Sequence, residues 1–185
     1  MRLFIAVELS PALKNYILKV QNSIDGEFSR VKFVRKEQMH LTLKFLGDIQ
    51  PKNIEGIIEE LKKIKFESFA TYLDSVGVFP DEDRARVLWI GLKPEENVIS
   101  LQKDIDEKLG KMFWKEKDFK PHITIGRIKF IHKKNEFLKR IEEIKIEDMK
   151  MEVNEFGLIK STLTLRGPEY EILKLFESKY GDVAE

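Results

Sequence analysis

Met39-His40-Leu41-Thr42-Leu43 and Pro121-His122-Ile123-Thr124-Ile125 render one pattern twice, 82 positions apart in a chain of 185 residues. In each, an imidazole and a hydroxyl stand two residues apart inside an apolar run. Successive side chains of a strand take opposite faces, so each His shares a face with its Thr. Leu41, Leu43, Ile123 and Ile125 take the other face, toward a core. Two of the chain's three histidines fall in these matched settings. The third, His132, follows the second strand and reads as a surface imidazole.

Outward from these strands, apolar periodicity maps the chain. A strand at 2–8 leads into a helix at 11–24 striped by Leu13, Tyr16, Ile17, Val20 and Ile24. A short strand near 31–35 precedes the first motif strand, 39–46. A helix opens near Pro51, with Ile54, Ile57, Ile58, Leu61 and Ile64 inward. Strands at 67–79 and 86–92 follow, and the order recurs: helix 95–109, motif strand 121–129, helix 133–145. Strands at 148–158 and 161–166 precede a closing helix at 169–179. Arg2-Leu3-Phe4-Ile5-Ala6 aligns with Arg86-Val87-Leu88-Trp89-Ile90 at an offset of 84. These observations predict an α+β fold: one two-lobed domain over residues 1–185, duplicated about a pseudo-twofold axis, with halves near 1–85 and 86–185. The axis would set His40/Thr42 and His122/Thr124 on opposite walls of one cleft.

Charged residues make up 35% of the chain, mostly Lys and Glu, against about 25% in an average protein, a bias that suits a thermophile. Absence of cysteine excludes disulfides, thiolate metal sites and Cys nucleophiles. No apolar run is long enough for a bilayer, and the short one at Met1–Val7 is no signal peptide, so a cytoplasmic protein without a membrane partner is expected. Net charge is only +1. Residues 111–140, however, hold ten Lys or Arg against three acids, and residues 29–50 hold five against two. Positive potential at both motifs suits an anionic substrate, and solvated helix faces are the other reading of the lysine-rich stretch.

Hydrolysis of a cyclic phosphodiester needs one group to take a proton from water and another to give one across the phosphorus. Imidazoles, with an ordinary pKa of about 6.5, serve either way at neutrality. The Thr42 and Thr124 hydroxyls can donate to non-bridging oxygens, and Arg127 is the cation nearest the second motif. Two half-buried histidines bonded to carbonyls, with Thr present for its strand propensity, are the competing reading. No H-E-x-x-H or third ligand at comparable spacing points to a metal, and neither metal nor cofactor is expected. Strict alternation would aim Arg127 at the core. A buried unpaired Arg is costly, so a bulge or strand end near Gly126 is expected to turn it toward the cleft. Phe45 holds the same offset from His40, and Trp89 reads as core.

The chain resembles the two-histidine phosphoesterase superfamily, and within it the RNA 2′,3′-cyclic phosphodiesterase family, historically called 2′-5′ RNA ligases. The resemblance runs from Arg2-Leu3-Phe4-Ile5-Ala6-Val7 through His40-Leu41-Thr42-Leu43-Lys44-Phe45-Leu46-Gly47 and Phe79-Pro80. It continues through Arg86–Leu92, Pro121-His122-Ile123-Thr124-Ile125-Gly126-Arg127, Ser161-Thr162-Leu163 and Gly167-Pro168-Glu169-Tyr170. It implies two antiparallel sheets lining a central groove, with helices outside. It implies hydrolysis of a terminal 2′,3′-cyclic phosphate on RNA, such as a tRNA fragment, to a 2′-phosphate. By resemblance His40 is proton donor, His122 proton acceptor, Arg127 a phosphate contact and Phe45 a base contact, with core packing the other reading of Phe45. A monomer is expected. Still open are the reverse 2′-5′ ligation, a non-catalytic module that grips RNA ends, and hydrolysis of small nucleotides such as 2′,5′-linked oligoadenylate or a cyclic ADP-ribose derivative.

Overall fold

A computed structural model describes residues 1–24, 26–165 and 167–179. Along the chain run β1 (Arg2–Glu8), α1 (Pro11–Ile24), β2 (Ser29–Phe33), β3 (His40–Asp48), α2 (Ile54–Leu61), β4 (Phe69–Phe79) and β5 (Val87–Lys93). There follow α3 (Glu96–Leu109), β6 (His122–Ile131), α4 (Lys134–Glu142), β7 (Lys150–Val153), β8 (Glu155–Thr164) and β9 (Gly167–Glu177). The expected helical stripes are the buried ones: Leu13, Tyr16, Ile17, Val20 and Ile24 on α1, and Val98, Leu101, Ile105 and Leu109 on α3. Among the described residues no helix is long and apolar enough to cross a membrane.

The strands are antiparallel in the order β7-β4-β5-β6-β3-β1-β8-β9, with β2 also on β6. Two four-stranded walls, β7-β4-β5-β6 and β3-β1-β8-β9, meet at a single residue pair, Leu41 with Ile123. The curled sheet has its main core between one face and the helices, where Leu3, Ile5, Val7, Leu41, Leu43, Leu88, Ile90, Ile123 and Ile125 are buried. A small second cluster of Phe4, Ala6 and Ile159 with Tyr170 lies on the other, open face. β4 comes from the first half of the sequence yet pairs with β5, while β8 from the second half pairs with β1. Each half thus lends a strand to the opposite wall.

Two expectations are corrected. Residues 169–179 are not a helix: β9 pairs with β8 from Glu155–Glu177 to Thr164–Gly167. Tyr170, Leu173 and Phe176 mimic a helical stripe because a bulge at Leu173 switches the strand's faces. Tyr170 lies in the open-face cluster and Phe176 in the main core. Without β9, the long strand β8 would be an unpaired edge. β8 itself is unbroken from Glu155 to Thr164, and Arg166, the end of the expected 161–166 strand, lies outside the described residues. The repeat offset is also off by one. Val7 pairs with Leu41 and Ile90 with Ile123, which makes Val7 and Ile90 equivalent, 83 apart. An offset of 84 exchanges the two faces of the strand.

Candidate active site

The Leu41–Ile123 pair fixes the geometry of the site. Both side chains point into the core, so His40, Thr42, His122 and Thr124 share the open face, where all four are half-buried. Antiparallel register then sets His40 across from Thr124 and Thr42 across from His122. The imidazoles occupy one diagonal of this four-residue patch and the hydroxyls the other. Diagonal neighbours on adjacent strands sit roughly 7–8 Å apart at the backbone, a span that one phosphate group can bridge between two side chains.

Each ring is held in the same way. His40 Nδ1 lies 2.8 Å from the Gln38 carbonyl oxygen and His122 Nδ1 lies 2.7 Å from that of Lys120. A carbonyl only accepts, so both Nδ1 atoms donate and both Nε2 atoms remain to meet a ligand. Aromatic walls flank the rings. Phe4 and Tyr170 lie against His40 with centroids at 4.8 and 5.3 Å, and Phe79 lies edge-on to His122 at 4.9 Å. Burial pushes both imidazoles below their ordinary pKa, partly offset by the carbonyl bonds, and the positive charge of His122 is felt at His40. Glu8 distinguishes them. It pairs with His40 in register and favours its charged form, although Lys14, 3.0 Å from that carboxylate, opposes it. His122 pairs instead with Gly91.

Arg127 and Phe45 both leave the core through bulges. The β5–β6 register slips between Leu88–Gly126 and Trp89–Thr124, leaving Ile125 extra, and Arg127 emerges exposed. On β3 the register slips at Leu43, and Phe45 is 69% exposed instead of packed in the core. Each bulge has a buried polar side chain from a helix beside it. Gln21 of α1 donates to the Ile125 and Val34 carbonyls, both at 2.9 Å. Below the other bulge, Asp106 of α3 accepts from Lys44 at 2.5 Å, from Gln102 at 2.8 Å and from the Glu116 N–H at 2.8 Å. Burial opposes ionisation of Asp106, but these donors outweigh it and hold the carboxyl below its ordinary pKa.

Since the strands are antiparallel, Arg127 lies toward the His40 end of the patch, near enough for its charge to be felt by Tyr170. Phe45 lies toward the His122 end.

Other expectations change. Lys44 was counted toward the positive field at the first motif, but it is 3% exposed and committed to Asp106. Trp89 lies on the open face, in register with Thr124 and 4.9 Å from Phe79, with its ring over Gly77 and its Nε1 buried without a partner among the described residues. His132 is exposed against Phe130, as expected of a surface imidazole, and Arg84 is tied to Asp81 on the surface. Sequence reasoning missed Tyr170, Phe4 and Phe79 as walls of the site. For Tyr170 the signal was the alternation Tyr170–Ile172, obscured by the Leu173 bulge. For Asp106 there was none, because its partner Lys44 is 62 residues away.

The LigT-like phosphoesterase family model matches twice, over residues 7–89 and 90–170. The RNA 2′,3′-cyclic phosphodiesterase of Methanocaldococcus jannaschii is 38% identical, over 94% of this chain and 99% of that protein. The Archaeoglobus fulgidus protein of the same description is 37% identical, over 96% and 100%. Among solved structures, a Thermus thermophilus protein superposes with a TM-score of 0.78 at 23% identity, covering 97% of this chain and 100% of that one. Escherichia coli LigT complexed with 3′-AMP superposes with 0.72 at 24%, covering 96% and 97%. The curled two-walled sheet is therefore a shared architecture. The chain belongs to the LigT-like phosphoesterase family and is an enzyme of that class.

Proposed function

We propose that this enzyme hydrolyses a terminal 2′,3′-cyclic phosphate on RNA, breaking the P–O3′ bond to leave a 2′-phosphomonoester and a free 3′-hydroxyl. Water attacks phosphorus opposite O3′. His122 Nε2 takes the proton from water, and His40, protonated at Nε2, gives one to the departing O3′. Thr42 and Thr124 donate to the non-bridging oxygens as charge builds there. Arg127 neutralises the phosphate, and Phe45 offers its ring to the terminal base. The step needs no metal, since both proton transfers and the charge are met by side chains.

The observation that carries this reading is the shared face set by Leu41–Ile123, with both Nδ1 atoms tied to carbonyls. Glu8 beside His40, and Gly91 in its place beside His122, favours His40 as the protonated partner, against the opposing charge of Lys14. The substrate class is supported by the activity for which the archaeal relatives are named. The natural substrate is an RNA end such as a tRNA fragment, acted on by a cytoplasmic monomer built from two copies of one unit. With a 5′-hydroxyl in place of water, the same groups would run 2′-5′ ligation.

The test is to incubate the enzyme and a chelator with an oligoribonucleotide ending in a cyclic phosphate. A 2′-monoester is expected. A 3′-monoester, or loss of turnover in the chelator, contradicts the scheme, and an intact cyclic end on bound RNA marks a binding module.

A further inference from the structure

Trp114 is 95% exposed, yet the chain around it is firmly held. Phe113 and Phe119 on either side pack against the main core. The Trp114 carbonyl accepts from Lys44 Nζ at 2.8 Å, and the Glu116 N–H is held by Asp106. The Met112 and Phe113 N–H groups close on the Leu109 carbonyl at 2.9 Å. An indole on a backbone pinned at so many points is displayed, at the cost of leaving a large apolar surface in water.

The loop that carries it leads into the site. It ends at Lys120, whose carbonyl accepts from His122 Nδ1, and its Trp114 carbonyl is tied to β3 through Lys44. The loop therefore borders the His122 end of the site, the end at which Phe45 stands exposed. Lys115, Lys117 and Lys120 on the same loop are exposed and enter none of the ion pairs formed by the described residues. Glu116 and Asp118, also exposed, alternate with them, so residues 111–120 carry four lysines against two acids. A positively biased surface carrying aromatic rings is what single-stranded nucleic acid binds, with bases on the rings and phosphates on the lysines.

We infer that Trp114 is the stacking platform for a nucleotide upstream of the cyclic end, with Lys115 and Lys117 holding the backbone, so that the enzyme is built for an RNA strand and not for a mononucleotide. This rests on the phosphodiesterase reading above. RNA is the occupant because the lysines complement its phosphates and the loop continues from the reactive patch.

The test compares kcat/KM for 2′,3′-cyclic AMP and for a hexaribonucleotide with the same terminal residue, in wild type, Trp114→Ala and Trp114→Phe. The preference for the hexanucleotide is expected to fall about tenfold in Trp114→Ala, mainly through KM, and to return in Trp114→Phe. Lys115→Gln/Lys117→Gln should flatten the salt dependence on the hexanucleotide. Matching melting temperatures confirm that the exposed substitution leaves the fold alone. An unchanged preference in Trp114→Ala overturns the inference and leaves the phosphodiesterase reading standing. A wild type that hydrolyses neither substrate overturns both.

Discussion

His40 and His122 are held identically from two different strands, each giving its Nδ1 proton to the carbonyl two residues earlier, at Gln38 and at Lys120. The two free Nε2 atoms are thereby matched, and the differences between the rings come from what surrounds them.

Burial lowers both pKa values from about 6.5 in the free enzyme, and kcat/KM reports the free enzyme. A base that must be neutral and an acid that must be charged give a bell centred midway between their pKa values. Its maximum in kcat/KM should therefore lie below pH 6.5. A bound phosphate raises both values, so the kcat profile should be displaced to higher pH. Steady-state kinetics from pH 4.5 to 8.5 checks both.

Loss of Thr42 or Thr124 as Val should lower kcat by up to about 10²-fold with little change in KM, because in the proposed mechanism they donate where charge builds. His→Ala at either position should cost about 10²–10⁴-fold. Equal effects on kcat and kcat/KM identify a contact made only in the transition state.

Tyr170 and Phe4 shield His40 from water. Tyr170→Ala should raise the His40 pKa toward its ordinary value while Tyr170→Phe leaves it in place. NMR titration of the imidazole carbons reads this directly.

Asp106→Asn should destabilise the enzyme by about 3–5 kcal/mol at pH 7, because Lys44 is left buried and charged without a counter-ion. Lys44→Met/Asp106→Asn, which removes the unpaired charge and keeps an acceptor for Gln102 and the Glu116 N–H, should recover most of the loss. Urea unfolding of the three proteins tests the coupling.

A methyl group at Gly77 would sit 2.3 Å from the Trp89 ring. Gly77→Ala should cost about 1–3 kcal/mol by overpacking and displace the aromatic wall of His122.

Much of this was legible in the sequence, because local periodicity records which face a residue takes. The His-x-Thr strands, the α1 and α3 stripes and the bulge at Arg127 all follow from alternation and the cost of burying a charge. What failed did so where a single residue resets parity. The Leu173 bulge gave a strand the spacing of a helix, and a one-residue slip misaligned Arg2–Ala6 with Arg86–Ile90. Lys44 looked like substrate-facing charge because its partner Asp106 is distant in sequence. Trp89 looked like core because the glycines that seat it on the open face, Gly77 and Gly91, signal nothing until the strands are paired.

In the proposed mechanism one imidazole gives a proton and the other takes one across a single phosphorus. Residual kcat/KM of His40→Ala and His122→Ala against pH, on RNA ending in a cyclic phosphate, separates the roles. His122→Ala is expected to lose the acid limb of the bell, which belongs to the base, and His40→Ala the alkaline limb, which belongs to the acid. Loss of the same limb in both variants, or undiminished turnover in either, would contradict that mechanism.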